Sequence, residues 1–243
     1  MMLREPHIKA AVIDALFKEG FVDDDAVLIS ELPVAGWSRR ADLVLANGRL
    51  IAFEIKSQAD SLQRLEAQVK AYQGVMEGVT VVADPRHAHE ILKAADSTVG
   101  VFQIEAGSDG AAQITLLRKP HIRPLSLEAS IKHMLAADLK RLVRANGEPA
   151  TTSDRHSLEI LARNLPVLNV RKAAIAALKQ RYLRYHARFL SERVHTSSLI
   201  ALKYLRRPSW QSAATASHTK TINDASFHIV DLRNIKITPR KIE

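Results

Sequence analysis

Apolar positions in the first quarter of the chain repeat with two periods, one typical of helices and one of strands. Residues 5–19 place apolar side chains every three or four positions, and Gly20 ends that repeat, which predicts an amphipathic helix. Short and nearly continuous apolar runs then predict three buried strands, at residues 26–32, 41–46 and 50–56. Pro33 is expected to end the first of them. Asn47-Gly48 lies between the other two and is a strong hairpin signal.

The alternation of helices and strands continues to about residue 118. Asp60 or Ser61 is a suitable N-cap for a helix that reaches about Glu77. The remaining patterns predict a strand at residues 79–83, a helix at 86–95, and strands at 99–105 and 112–117. Three consecutive strands followed by a crossover helix and another strand indicate an α/β fold, a mixed β-sheet flanked by helices, over residues 1–118.

The second half of the chain has a helical pattern without strand signals. Helices are expected at about residues 126–145, 154–165, 169–192 and 195–206, with Ser153 or Asp154 as the cap of the second. Residues 119–207 are therefore predicted to form a basic all-helical domain. The helix pair within residues 158–178 is also compatible with a helix-turn-helix, although short turns between helices are common. Residues 208–243 are expected to be a loosely ordered tail, with a possible short strand near 226–237.

The composition limits the classes of protein to consider. Hydrophobic residues make up 47% of the 243 positions and charged residues 25%, which is ordinary for a soluble globular protein. The absence of cysteine excludes a disulfide framework and a cysteine-based zinc site. No stretch has the length and apolar character of a membrane span, and the N-terminus has no signal-peptide pattern. A cytoplasmic protein without a membrane partner is the resulting expectation.

The formal net charge of +9 is unevenly distributed. Residues 1–117 contain 11 Lys and Arg against 17 Asp and Glu, whereas residues 118–243 contain 24 against 9. A block this basic predicts a polyanionic partner, and nucleic acid is the first candidate. Seven basic residues on one long helical stretch are the expected phosphate contacts: Arg171, Lys172, Lys179, Arg181, Arg184, Arg188 and Arg193. The alternatives are a solubilising surface, a helical cap on the sheet, or a dimer interface.

Charged residues at the ends of two predicted neighbouring strands carry the candidate chemistry. Asp42 opens one strand, and Glu54 and Lys56 end the next, on the face opposite Phe53 and Ile55. Two carboxylates, together with the carbonyl of Ile55, are suitable ligands for Mg²⁺ or Mn²⁺. Lys56 is placed to orient or deprotonate a water molecule, or to stabilise charge on a phosphate.

This arrangement, Asp42 followed by Glu54-x-Lys56 within helix–strand–strand–strand–helix–strand, resembles the PD-(D/E)xK superfamily of restriction-endonuclease-like nucleases. Ala41 stands where the family often has proline, a departure that the family tolerates. Gln68-x-x-x-Tyr72 on the following helix resembles the QxxxY motif of the RecB-like branch. The likeness extends to a family of small uncharacterised bacterial members, over roughly residues 4–105 and more faintly beyond.

The resemblance implies an αβββαβ core and specific roles for these residues. Gln68 and Tyr72 would help to orient the catalytic strand and the nucleic acid. Glu31 matches an acidic residue that some members place near the metals, and Glu5 is the competing candidate. The expected function is Mg²⁺-dependent hydrolysis of DNA in restriction, defence or repair, with RNA still possible. The alternatives are a nucleic-acid-binding protein that does not cleave, or a subunit of a restriction or defence assembly; a homodimer is also compatible.

Overall fold

The computed structural model describes residues 3–34, 36, 38–107 and 111–206. They form a six-stranded mixed sheet with helices on both faces and a helical C-terminal region, which confirms the predicted α/β class. The strands are β1 Val27–Val34, β2 Arg39–Ala46, β3 Leu50–Lys56, β4 Gly78–Ala83, β5 Gly100–Ala106 and β6 Ala112–Arg118. The helices are α1 Glu5–Lys18, α2 Leu65–Gln73, α3 Pro85–Ala94, α4 Leu127–His133, α5 Ala136–Ala145, α6 Arg155–Arg163, α7 Val167–His195 and α8 Ser198–Leu205. The possible strand near residues 226–237 and the tail at 208–243 lie outside the described residues.

The strands lie in the sheet in their order along the chain, β1 to β6. The three N-terminal strands pair antiparallel, and the β2–β3 hairpin turns at Gly48, whose positive φ of 62° glycine adopts without strain. The pairs β3–β4 and β4–β5 are parallel, so helices α2 and α3 are the crossovers that such pairs require. Strand β6 returns antiparallel to β5.

Each face of the sheet has its own hydrophobic core. Leu43 and Phe53 pack beneath α1 and α8 on one face, whereas Val44 and Ala52 pack beneath α2 and α7 on the other. Helices α4, α5 and α6 bury a third cluster against the first turns of α7. Helix α7 contributes to all three clusters, because its 29 residues run past both the small helices and the sheet. The helical region and the sheet therefore share apolar contacts.

Several predicted boundaries were wrong, including the end of α2, which lies at Gln73 and not at about Glu77. Strand β1 continues through Pro33 to Val34, since an edge strand tolerates a residue without an N–H. Helix α2 begins at Leu65, because Asp60 accepts hydrogen bonds from the main chain and hydroxyl of Ser57 in a turn instead of capping a helix. The helix predicted at residues 126–145 is two helices, separated by extended backbone at Met134 and Leu135.

The helices of the C-terminal region also bear on two further expectations. Helices α6 and α7 are joined by three residues, 164–166, and the helix-turn-helix stays a prediction; Asp154 rather than Ser153 caps α6. Among the described residues, no helix combines the length and hydropathy that crossing a membrane requires.

Candidate active site

Strands β2 and β3 separate at the end of their hairpin, and the side chain of Asp42 fills the gap between them. Their last pair is Leu43 with Phe53. Beyond it, Oδ2 of Asp42 accepts a hydrogen bond of 2.7 Å from the main-chain N–H of Ile55. In an extended strand the N–H and C=O of one residue point to the same side, so the carbonyl of Ile55 also faces Asp42. The strand separation thus assembles two of the predicted metal ligands.

Glu54 and Lys56 lie on the α2 face of β3, as the strand alternation predicts. Phe53 and Ile55 point into the core on the opposite face. The carboxylate of Glu54 is 1% exposed, and its Oε1 accepts a 2.8 Å hydrogen bond from Nζ of Lys56. A buried pair of this kind keeps its geometry, because each charge loses its main compensation if the other moves.

Helix α2 closes the site over β3 with two side chains four residues apart on one helix face. Oε1 of Gln68 accepts a hydrogen bond of 3.1 Å from Nζ of Lys56. The hydroxyl of Tyr72 lies 2.9 Å from Oε2 of Glu54 and 2.7 Å from the carbonyl oxygen of Arg40. Tyr72 therefore joins α2, β2 and β3, and both helix residues contact the pair that sequence analysis selected.

Removing the Tyr72 hydroxyl tests how much this junction stabilises the fold. Tyr72 is fully buried, so Tyr72→Phe leaves the buried carboxylate of Glu54 and the carbonyl oxygen of Arg40 without their phenolic partner. We expect the free energy of unfolding to fall by about 1–3 kcal/mol, measured by urea denaturation. The control is Tyr204→Phe, at a half-buried position on α8. It should change the free energy of unfolding by less than about 0.5 kcal/mol. Equal values for the two variants would show that the junction is not stabilising.

The electrostatics of the site favour a cation beside Asp42 and Glu54. Burial, and then the negative charge of Glu54, raise the pKa of Asp42 to about 8. Burial also raises the pKa of Tyr72, reinforced by Glu54. Lys56 is paired with Glu54, and the charge of Lys9 offsets only part of the rise in the pKa of Asp42, so a further positive charge beside the two carboxylates would be favourable. Two carboxylates and a carbonyl oxygen are hard donors, and this donor set fits Mg²⁺ or Mn²⁺.

A second acidic cluster lies beside Asp42 and includes both competing candidates from the sequence. Glu5 on α1, Glu31 on β1 and Asp42 each place one carboxylate oxygen within 4.8 Å of the others. Lys9, one turn after Glu5, lies among them: its Nζ is 2.8 Å from Glu31 and 3.2 Å from Glu5. Lys9 is not among the residues predicted from the sequence. Its only signal is the four-residue spacing from Glu5, which is common on helix surfaces.

The backbone at Glu31 is strained in a way that aims its side chain. Its φ of 57° is left-handed, which is rare for a non-glycine residue within a strand. Before it, Val27 and Ile29 face the α2 side, and after it Leu32 and Val34 do, so the alternation of the strand shifts by one residue. Strained residues concentrate at functional sites, where the surrounding structure maintains them.

Most of the basic residues of α7 that were expected to contact phosphate instead form ion pairs within the chain. Four of the seven form ion pairs with carboxylates of the same chain: Arg171 with Glu77, Lys179 with Asp25, Arg181 with Asp138, and Arg193 with Asp14. The other three, Lys172, Arg184 and Arg188, are exposed. Arg184 and Arg188 lie over the rings of Tyr185 and Tyr204, at 4.6 Å and 4.4 Å from the ring centroids. The charge of this region therefore overstates the number of basic side chains on α7 that are free to contact a partner.

Comparison with known proteins places the chain in a family. One similar solved structure is the SPO1766 protein of unknown function from Silicibacter pomeroyi. The match covers 63% of this chain and 97% of that protein, with 18% sequence identity. Its TM-score of 0.40 is too low to support a conclusion. Protein cII of Enterobacteria phage P4 is 36% identical over 206 residues, which are 84% of this chain and 77% of the phage protein. The family profile described as Bacteriophage P4 protein cII matches residues 1–206. The chain therefore belongs to the bacteriophage P4 protein cII family.

Proposed function

We propose that this protein is a Mg²⁺- or Mn²⁺-dependent nuclease of the PD-(D/E)xK type that hydrolyses phosphodiester bonds in DNA. One observation supports it above all. Asp42, Glu54, Lys56, Gln68 and Tyr72, predicted from the sequence to belong to one active site, lie on three different elements. Hydrogen bonds connect the last four, and Asp42 is held beside them by the main-chain N–H of Ile55. Cytoplasmic DNA restriction, defence or repair is the proposed setting.

The roles in this proposal follow from position. Asp42, Glu54 and the carbonyl of Ile55 would hold the metal ion, which when bound neutralises charge at phosphorus and makes a water more acidic. Lys56 has its ammonium fixed by Glu54 and Gln68, so it is held ready to orient the attacking water or to contact the phosphate. Tyr72 fixes Glu54 from the α2 side.

The proposal predicts that Lys56→Met abolishes cleavage. Methionine keeps the length of the side chain and removes its charge, and the loss of one positioned charge lowers a rate by roughly 10²–10³-fold. The measurement is digestion of linear, nicked, branched and single-stranded DNA, and of RNA, with Mg²⁺ or Mn²⁺. Lys93→Met, at an exposed position on α3 outside the basic helical region, is the matched control and should retain full activity.

Other outcomes of the same digestion separate the alternatives. Wild type that cuts none of the substrates contradicts the proposal. Metal-independent binding that weakens steeply with salt would instead indicate a protein that binds nucleic acid without cleaving it. Activity that appears only with a co-purifying protein would indicate a subunit of a larger assembly. Cleavage of RNA alone would keep the chemistry and change the substrate.

A further inference from the structure

Lys9 is a buried charge that the proposed reaction does not use. It is 6% exposed and lies on α1 between Ile8 and Ala10, which are both buried. A lysine is almost never buried to this degree without a partner. Its ammonium contacts Glu31 at 2.8 Å and Glu5 at 3.2 Å. Burial lowers its pKa, but the hydrogen bond and charge of Glu31 outweigh that effect and raise it overall.

The position of this ammonium resembles that of a metal ion more than that of a surface ion pair. Glu5, Glu31 and Asp42 come from three different elements and place one oxygen each within 4.8 Å of the others; the ammonium contacts the first two, and its charge acts on Asp42. Asp42 is shared, because it also accepts the hydrogen bond from Ile55 and interacts with the charge of Glu54. Enzymes that use two metal ions hold them about 3.5–4 Å apart on such a shared carboxylate.

We propose that Lys9 is a built-in cation in the second cation position beside Asp42, so that the protein binds one divalent ion, at Asp42, Glu54 and Ile55, instead of two. This inference rests on the proposed function for the first ion. Lys9 then acts as a positioning residue. Its positive charge holds Glu31 and Glu5 near Asp42 without a metal, and the left-handed backbone at Glu31 keeps that carboxylate aimed at it.

Counting bound metal ions tests the proposal without relying on activity. Mn²⁺ is titrated into the full-length, chelator-treated protein by calorimetry, and bound Mn²⁺ is counted by electron paramagnetic resonance. Wild type should bind one ion and Lys9→Met two, because the three carboxylates lose their ammonium. Lys18→Met, an exposed lysine on the same helix, should bind one. Lys9→Gln is a second variant that removes the charge but keeps a hydrogen-bond donor, and should also bind two if Lys9→Met does not fold.

The counts distinguish failure of this inference from failure of the proposed function. Wild type with two ions, or both charge-removing variants with one, overturns the role of Lys9 and leaves the nuclease proposal intact. Wild type with none and the Lys9 variants with one would support Lys9 as the resident cation and contradict the site at Asp42 and Glu54. No metal in any of the proteins would contradict both.

Discussion

Asp42→Asn is expected to stabilise the metal-free protein while it removes cleavage. Asparagine can still accept the hydrogen bond from Ile55, but it has no charge to repel Glu54. We expect the free energy of unfolding at pH 8 to rise by about 2 kcal/mol, less than the full pKa difference implies, because Asp42 is half-buried and solvent screens part of the repulsion. Loss of a metal ligand should lower cleavage by roughly 10³-fold.

The direction of the pH dependence follows from the same pKa. Asp42 titrates near 3.8 in the unfolded chain and near 8 in the folded protein. Between these values the folded state binds more protons, so this residue makes the protein less stable as the pH rises from about 4 to about 8. Asp42→Asn should remove that part of the pH dependence, so its advantage over wild type should grow across the same window.

Thermal and urea unfolding between pH 5 and 8, with and without Mn²⁺, measure both effects. Mn²⁺ should stabilise the wild type and have little effect on Asp42→Asn. Asp24→Asn, at an exposed turn, is the control and should match wild type in every condition. If Asp42→Asn is less stable than wild type at pH 8, Asp42 is a structural residue, and the site is not strained by the charge of its carboxylates.

Arg171→Met is expected to lower the free energy of unfolding by about 3–4 kcal/mol. Glu77 is 3% exposed and accepts hydrogen bonds from the main chain at Leu50 and Leu125, at 3.0 Å and 3.2 Å. Arg171 supplies its charge partner with two bonds of 2.8 Å and 3.0 Å, and also donates to the carbonyl of Gly48 at 2.8 Å. Removing the arginine leaves the carboxylate buried without its cation, which costs far more than losing a surface pair.

A fall of this size corresponds to a melting temperature lower by about 10 °C for a protein of this length. Lys172→Met, at the next position of α7 but exposed, should change the melting temperature by less than about 2 °C. The double variant Glu77→Gln/Arg171→Met should recover part of the loss, since no charge is left alone and the amide oxygen can still accept a main-chain hydrogen bond. A single variant Arg171→Met as stable as wild type would show that α7 is not anchored through Glu77.

The parts of the site that could be predicted from sequence are local. Asn47-Gly48 fixes the hairpin, and the alternation along β3 fixes the common face of Glu54 and Lys56. The four-residue spacing fixes the common face of Gln68 and Tyr72. Each of these inferences needs only the repeat of side chains along one strand or helix, or one turn signal, all of which lie within a short segment of sequence.

The parts that could not be predicted depend on contacts between distant segments. From the sequence alone, Lys9 is an ordinary charged residue on a helix surface; its contact with Glu31 arises only from the packing of α1. No residue near Glu31 predicts its left-handed backbone. Arg171 was predicted to contact phosphate, because the sequence does not show that the fold pairs it with Glu77, 94 positions away. The break at Met134 lacks a glycine or proline, so helix propensity alone extends through it.

Strand β1 lies at the outer side of the sheet, where an unpaired main chain usually invites another strand. The N–H of Leu28 is donated to Nδ1 of His186 at 3.3 Å, and burial lowers the pKa of this histidine to about 4, so that it stays a neutral acceptor. Ser30 forms a bridge with Arg206, and Pro33 has no N–H to offer. Main-chain groups along this edge are thus covered or missing, which protects the β1 edge from strand addition.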